Sequence, residues 1–353
     1  MENDEQNESS KLSGDFFAVD ARRWKEACAD GMNSAVSYLI LCRGTGGDNR
    51  TTSWSVSAIE KYTSIARTRA RDAIELHLKR SRVELRRSGR NPKYWIVPFG
   101  GDETEPEWIW LPNMIIDGAA REVAPVEILR QSSNVKALQL LVELYASQLL
   151  DTEGGIEWRP GRGIRTPYFS EKIVPHGQYS IWAFSSADRE EVFKEFQPRQ
   201  SFDAIDDFWT AWRLLRNLGL VYCVAHLVQD DSPEGEIIHP LPYDTTEGTE
   251  IERDLAQAAR DAAVSMMAEW RQDHPDFSPD DPLAPVLHHY EKVALIGIYR
   301  LRYKPHTRAT VKWLEKNAVW VAYADRYREI VSRKNAILPN ENMVMQYQGG
   351  IKV

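Results

Sequence analysis

The chain has 353 residues, 42% of them hydrophobic, with 12 Trp and a formal charge of −8, enough for two or three domains that each bury a core. No apolar run approaches the roughly 18 residues of a membrane helix, and the acidic start lacks the basic-plus-apolar build of a signal peptide. Cys28, Cys42 and Cys223 are too widely spaced for a disulfide framework or a zinc site, so the expectation is a cytoplasmic globular protein of a bacterial or phage-infected cell, with no cofactor and no membrane partner.

Met1 to Gly14 holds four acids, one Lys and no apolar pattern, and reads as a disordered acidic tail. Phe16 to Gly31 reads as a first helix, with Phe17, Ala21, Trp24 and Ala27 or Cys28 inward. Asn33 to Cys42 is strongly apolar and should be a helix forming the floor of the first core. The loop RGTGGDNRTT follows. It lacks the Gly-Lys-Ser/Thr ending of a phosphate-cradling loop, but Arg43 and Arg50 are placed to touch a nucleic-acid backbone. Val56, Ile59 and Tyr62 mark a short helix, Thr63-Ser64 a tight turn, and a second helix starts near Ala66. Its Ala70, Ile74, His77 and Leu78 share one face at helical spacing; Arg67, Thr68, Arg71 and Asp72 fall on the other. Val83 and Leu85 then alternate with Arg82, Glu84 and Arg86. Ser88 to Pro92 supplies turn chemistry, and Tyr94 to Val97 returns as a strand.

Helix, turn, helix, hairpin over about residues 16–98 resembles the winged helix-turn-helix DNA-binding proteins of bacterial mobile elements, the replication initiators and repressors of plasmids and phages. The resemblance implies that the second helix, Ala66 to Arg80, enters the major groove with its first turn toward base edges, while the hairpin lies along the phosphates. The DNA-binding set is then Arg50, Arg67, Thr68, Arg69, Arg71, Lys79, Arg86, Arg87, Arg90 and Lys93. Ala66 departs from the pattern, since such helices often start with a Ser or Thr cap. From Arg67 to Lys93 ten Lys/Arg stand against three acids, a local charge of +7, which leaves −15 for the rest of the chain. Such segregation fits a polyanion partner. A solvated helix face with a charged wing that protects a strand edge is the plainer alternative.

Gly100 to Glu107 is an acidic break that would close a domain at 15–99, with 100–127 as a connecting segment. Ser133 to Leu150 reads as a helix, Asp151 to Pro167 as a loop carrying Arg159, Arg162 and Arg165, and Gln178 to Phe184 as a strand. Phe202 onward gives a helix with Ile205, Phe208, Trp209, Trp212 and Leu215. It passes through Leu218-Gly219-Leu220-Val221 into a strand, with Glu236 to His239 as hairpin partner. This reads as a weaker second winged helix over 128–245, whose acidic wing suits protein contact or dimerisation. Thr249 to Asp273, Val286 to Arg302 and Thr307 to Arg333 read as helices of a C-terminal region (246–340), with a tail at 341–353. There Arg300, Arg302, Lys304, Arg308 and Lys312 form a possible second basic surface, or snorkel around an apolar seam.

The expected fold class is therefore mainly α with small β-hairpin wings (α+β): tandem winged-helix domains, then a C-terminal helical region. No Gly-x-Ser-x-Gly or His-Glu-x-x-His motif occurs, and no metal set is evident. The expected function is sequence-specific binding of double-stranded DNA without an enzymatic step, in a regulator or replication initiator of a plasmid, prophage or integrative element, with a homodimer or a protein partner at the acidic second domain. The alternative is a protein-interaction factor, such as an inhibitor of a host complex, using winged helices as a scaffold.

Overall fold

The computed structural model describes residues 15–101, 104–119, 122–152, 154–187, 189–244, 246–275, 277 and 281–335; the tails read at 1–14 and 341–353 lie outside them. The chain forms two units. Of the described residues, unit 1 takes those up to Arg165, then Glu190–Cys223 and Ile298–Leu314; unit 2 takes those within Thr166–Arg189 and Val224–Gly297 and those from Glu315 to Asn335.

In chain order, unit 1 opens with strand β1 (Phe16–Asp20), helices α1 (Ala21–Ala29) and α2 (Met32–Arg43), strand β2 (Thr51–Thr52), and helices α3 (Val56–Thr63) and α4 (Arg67–Lys79). Strands β3 (Val83–Arg87), β4 (Lys93–Ile96) and β5 (Trp108–Pro112) follow, then helices α5 (Met114–Asp117), α6 (Pro125–Ser132) and α7 (Val135–Ala146). The stretch read as a single helix over 16–31 divides at Asp20. Residues 16–20 pair antiparallel with β5, from Phe16↔Pro112 to Asp20↔Trp108. The Asp20 carboxylate caps α1, accepting from the backbone N–H of Arg22 (2.9 Å) and Arg23 (3.3 Å). α2 is buried at every residue from Ser34 to Cys42, and α7 from Ala137 to Tyr145. Helices apolar all round belong in a core, and these two run through that of unit 1.

The helix, helix, hairpin order is present at α3, α4, β3 and β4. Ser64 turns the chain between the helices in the left-handed region, φ 54°. Thr63 Oγ1 secures that turn by donating to the Ile59 carbonyl (2.5 Å) and accepting from the Ile65 N–H (3.3 Å). β2 adds to β4, giving a three-stranded antiparallel sheet of order β2-β4-β3.

The remaining elements overturn the expected fold class. They are strands β6 (Gln148–Leu149), β7 (Gly155–Ile156), β8 (Ile164–His176), β9 (Tyr179–Ser186) and β10 (Glu191–Val192), helices α8 (Gln197–Gln200) and α9 (Ile205–Asn217), and strands β11 (Val221–Val228) and β12 (Ile237–Pro240). After them come helices α10 (Glu250–Met266) and α11 (Trp270–Asp273), strands β13 (Leu283–Leu287) and β14 (Ala294–Leu301), and helices α12 (Arg308–Glu315) and α13 (Asn317–Asn335). The fold is α+β with about 42% helix and 24% strand, not mainly α with small wings. Seven antiparallel strands form one sheet of order β12-β11-β14-β8-β9-β13, with β10 pairing β8.

Two misreadings contribute to the difference, beside β8, which begins inside the stretch read as a loop at 151–167. Val286–Arg302, read as a helix, holds the last two residues of β13, a turn and β14. Every residue from Leu295 to Leu301 is buried, Arg300 included, so both strand faces are dry and the run shows no diagnostic period. α9 does pass into β11, and β11 does pair with β12 (Leu227↔His239). Yet β11 lies between β12 and β14 inside the sheet, so the pair is no free wing and the tandem winged-helix reading falls. In unit 2, α10 starts at a capping box in which Thr249 Oγ1 accepts from Glu252 N–H (3.3 Å) and Glu252 Oε2 accepts from Thr249 N–H (2.7 Å). α10 packs on α13, and its Leu255, Ala258, Ala259 and Ala262 join Leu227, Val286 and Leu295 in the core of that unit.

Candidate nucleic-acid interface

α4 buries Ala70, Ala73, Ile74 and His77 and exposes Arg67, Thr68, Arg69, Arg71, Asp72 and Lys79. Ala66, at its N-cap, offers no capping side chain. The positive end of the helix dipole therefore points outward among three arginines, a field that favours anions. Arg67 sits 3.5 Å from Glu60, both about half exposed, an ion pair worth ~0–1 kcal/mol and easily redirected.

The wing is built by register. Val83↔Ile96 sets the inward face, and Tyr94 continues it opposite Leu85, which is itself exposed on the edge strand; Glu84↔Trp95 and Thr51↔Trp95 set the outward one. A register shift between Leu85 and Arg87 re-aims the next side chains, as β-bulges do. Arg86 then lies over the outward Trp95 ring (5.4 Å to the centroid), and Arg87 pairs opposite Lys93. The Arg87 guanidinium donates from Nε (3.2 Å) and Nη2 (3.0 Å) to the Asn91 carbonyl. It closes the wing turn, at which Gly89 takes φ 110°, a conformation that costs glycine least. Arg90 and Lys93 are exposed. Arg50 is half-buried, with its guanidinium 5.6 Å from the Trp95 centroid.

Two of the ten cations counted between Arg67 and Lys93 serve the fold. Arg82, read as facing solvent beside Glu84 and Arg86, is 1% exposed. It donates to Asp30 Oδ2 (2.6 Å) and, through Nε, to His77 Nδ1 (3.1 Å). Arg80 donates to the other Asp30 oxygen (3.0 Å). The His77 Nδ1 therefore accepts, and Nε2 donates to the Ser34 carbonyl (3.1 Å), which fixes the neutral tautomer. The network ties α2, the end of α4 and the start of β3 together.

Burial, with the Arg82 charge, pushes the His77 pKa down to about 3, against an unfolded value near 6.5. With the folded value depressed, the stabilisation is complete above about pH 6.5 and drains as pH falls toward 3, at ~1.4 kcal/mol per unit. In His77→Gln an amide can keep both contacts without titrating. Urea midpoints at pH 7, 6, 5 and 4 should therefore show a flatter acid slope in the variant; equal slopes would refute the assignment.

The second basic block is divided. Arg300 is 1% exposed, and Arg300 and Lys304 lie over the Trp313 ring at 5.3 and 4.7 Å. Arg302 donates to Glu122 (2.6 Å). Only Arg308 and Lys312 stand exposed without a role in that packing. Gly154, at φ 65°, approaches the same indole so closely that a Cβ would meet Trp313 Cε2 at 2.3 Å. Gly154→Ala should cost ~2–4 kcal/mol through strain and overpacking and lower the melting temperature, whereas Gly161→Ala, with open space around it, should pay for backbone strain alone.

Unit 1 thus brings Arg67, Thr68, Arg69, Arg71, Lys79, Arg86, Arg87, Arg90, Lys93 and Arg50 onto one helix-and-sheet module. Trp95 was not among the residues singled out, although its place two residues after Lys93 in a strand puts both on the same face. No protein-family model matches the chain, and neither does any curated protein or solved structure.

Proposed function

We propose that the chain binds double-stranded DNA sequence-specifically, with α4 reading base edges in the major groove and the β3–β4 wing holding phosphates. The observation that carries this reading is the exposed Arg67, Thr68, Arg69 and Arg71 at the start of a helix whose other face is buried. Arginine matches the acceptor pair on guanine, and each bidentate contact supplies ~1–3 kcal/mol of discrimination. Arg86, Arg90 and Lys93 set register without reading sequence. Within this class, the likeness to mobile-element proteins favours a regulator or replication initiator of a plasmid, prophage or integrative element.

Fluorescence-anisotropy titration of duplex DNA at two salt concentrations tests the proposal. If about six phosphates are neutralised, log affinity should fall against log salt with a slope near −5. Absence of duplex binding at low salt would sink it.

A further inference from the structure

The outward face of the three-stranded sheet shares Arg86 and Lys93 with the wing contacts proposed for a duplex, but it also carries an indole, Trp95, that the reading by α4 does not use. β4 is its central strand, and Trp95 sits mid-sheet opposite Thr51 on one neighbour and Glu84 on the other. The guanidiniums of Arg50 and Arg86, from opposite sides of β4, lie 5.6 and 5.4 Å from the indole centroid, within cation–π range. Lys93 shares the face. Two guanidiniums thus lie against the indole, with Lys93 two residues away along the same strand; Glu84, half-exposed, pairs with Arg86 at 2.8 Å.

We infer that this face binds single-stranded nucleic acid, stacking unpaired bases on Trp95 and its flanking guanidinium planes while the cations follow the phosphates. The chemistry selects the occupant. In a duplex each base face is covered by its neighbour, so a duplex could use the cations but not the indole. Splayed bases stack on aromatic rings and on arginine planes alike, and such stacking tolerates any sequence. The inward face of the same sheet, Val83, Tyr94 and Ile96, packs into the core on which α4 lies, so the outward face turns away from that core.

The test is anisotropy titration of a labelled 12-nucleotide oligothymidine, which forms no duplex, with the full chain at low salt. Wild type should bind, and Trp95→Leu should lose about tenfold or more in affinity, the scale of one stacked base. Trp95→Phe, which keeps a ring, should stay within about threefold of wild type. The double reversal Arg67→Glu/Arg71→Glu should leave oligothymidine binding intact, even if it abolishes duplex binding. Failure of wild type to bind would overturn the inference, as would Trp95→Leu binding like wild type. So would loss of binding in the α4 reversal, which would place the strand on α4. Should Trp95→Leu not fold, Arg50→Gln/Arg86→Gln decides: undiminished affinity overturns the proposal, and a loss alongside an unaffected Trp95→Phe supports it.

Discussion

Reversing Arg67 and Arg71 together to Glu should lower duplex affinity by at least about 100-fold, with far-UV circular dichroism unchanged. Two lost base contacts account for ~2–6 kcal/mol, and each new carboxylate also faces the phosphates. The fold should tolerate the change, because both side chains are exposed and the one ion pair lost, Arg67 with Glu60, is a weak surface contact. The salt dependence should flatten as well. Thr68→Ala should act differently: a loss that appears for some sequences and not others, because a hydroxyl reads a base and neutralises nothing. Duplex affinity within about threefold of wild type in the double reversal would remove α4 from the DNA. The strongly acidic remainder of the chain would then point to a protein partner.

Asp30→Ala should destabilise unit 1 by ~3–5 kcal/mol, the scale for breaking a buried ion pair. The loss comes from what it leaves behind, a guanidinium on Arg82 that is 1% exposed and has lost its carboxylate. Asp30→Asn should fall between, since it keeps a hydrogen-bond acceptor without the charge. The double variant Asp30→Ala/Arg82→Leu should recover much of the loss, because no charge is then stranded. Backbone amide exchange in α2 and α4 is the readout, and a single variant as stable as wild type would refute the account. A pH signature accompanies it. Desolvation opposes ionisation of Asp30, but the Arg82 hydrogen bond and charge, with help from Arg80, outweigh it and hold the carboxyl below its ordinary value. Its contribution is therefore full above about pH 4 and is lost as pH falls through the depressed value. Acid should weaken unit 1 in two stages, first through His77 and then, lower, through Asp30, and Asp30→Ala should lack the second stage.

The parts legible in the sequence were those where one face is wet. α4 and the β3–β4 hairpin announce themselves because buried Ala70 and Ile74, or Val83 and Tyr94, alternate with charge at the period of their element. Where both faces are dry the period vanishes, and β14 was read as helix for that reason. β1 was absorbed into α1 because Phe17 and Ala21 share helical spacing with Trp24; only its long-range pairing with β5 gives the strand away. Charge was legible as composition but not as assignment. Nothing near Arg82 in sequence says that its partner is Asp30, 52 residues earlier, or that a bulge places Arg86 over Trp95.

Unit 1 is closed by a piece of chain made late. Tyr145, at the end of α7, donates to the Tyr303 carbonyl (2.8 Å), and Gly154 waits for Trp313. On a ribosome adding about 5–20 residues per second, the nascent chain must therefore leave the Tyr145 hydroxyl and the Gly154 niche without these partners for roughly 10–30 s, until residues 298–314 emerge. A bound chaperone, or a pause in translation, would have its greatest effect on yield within that interval.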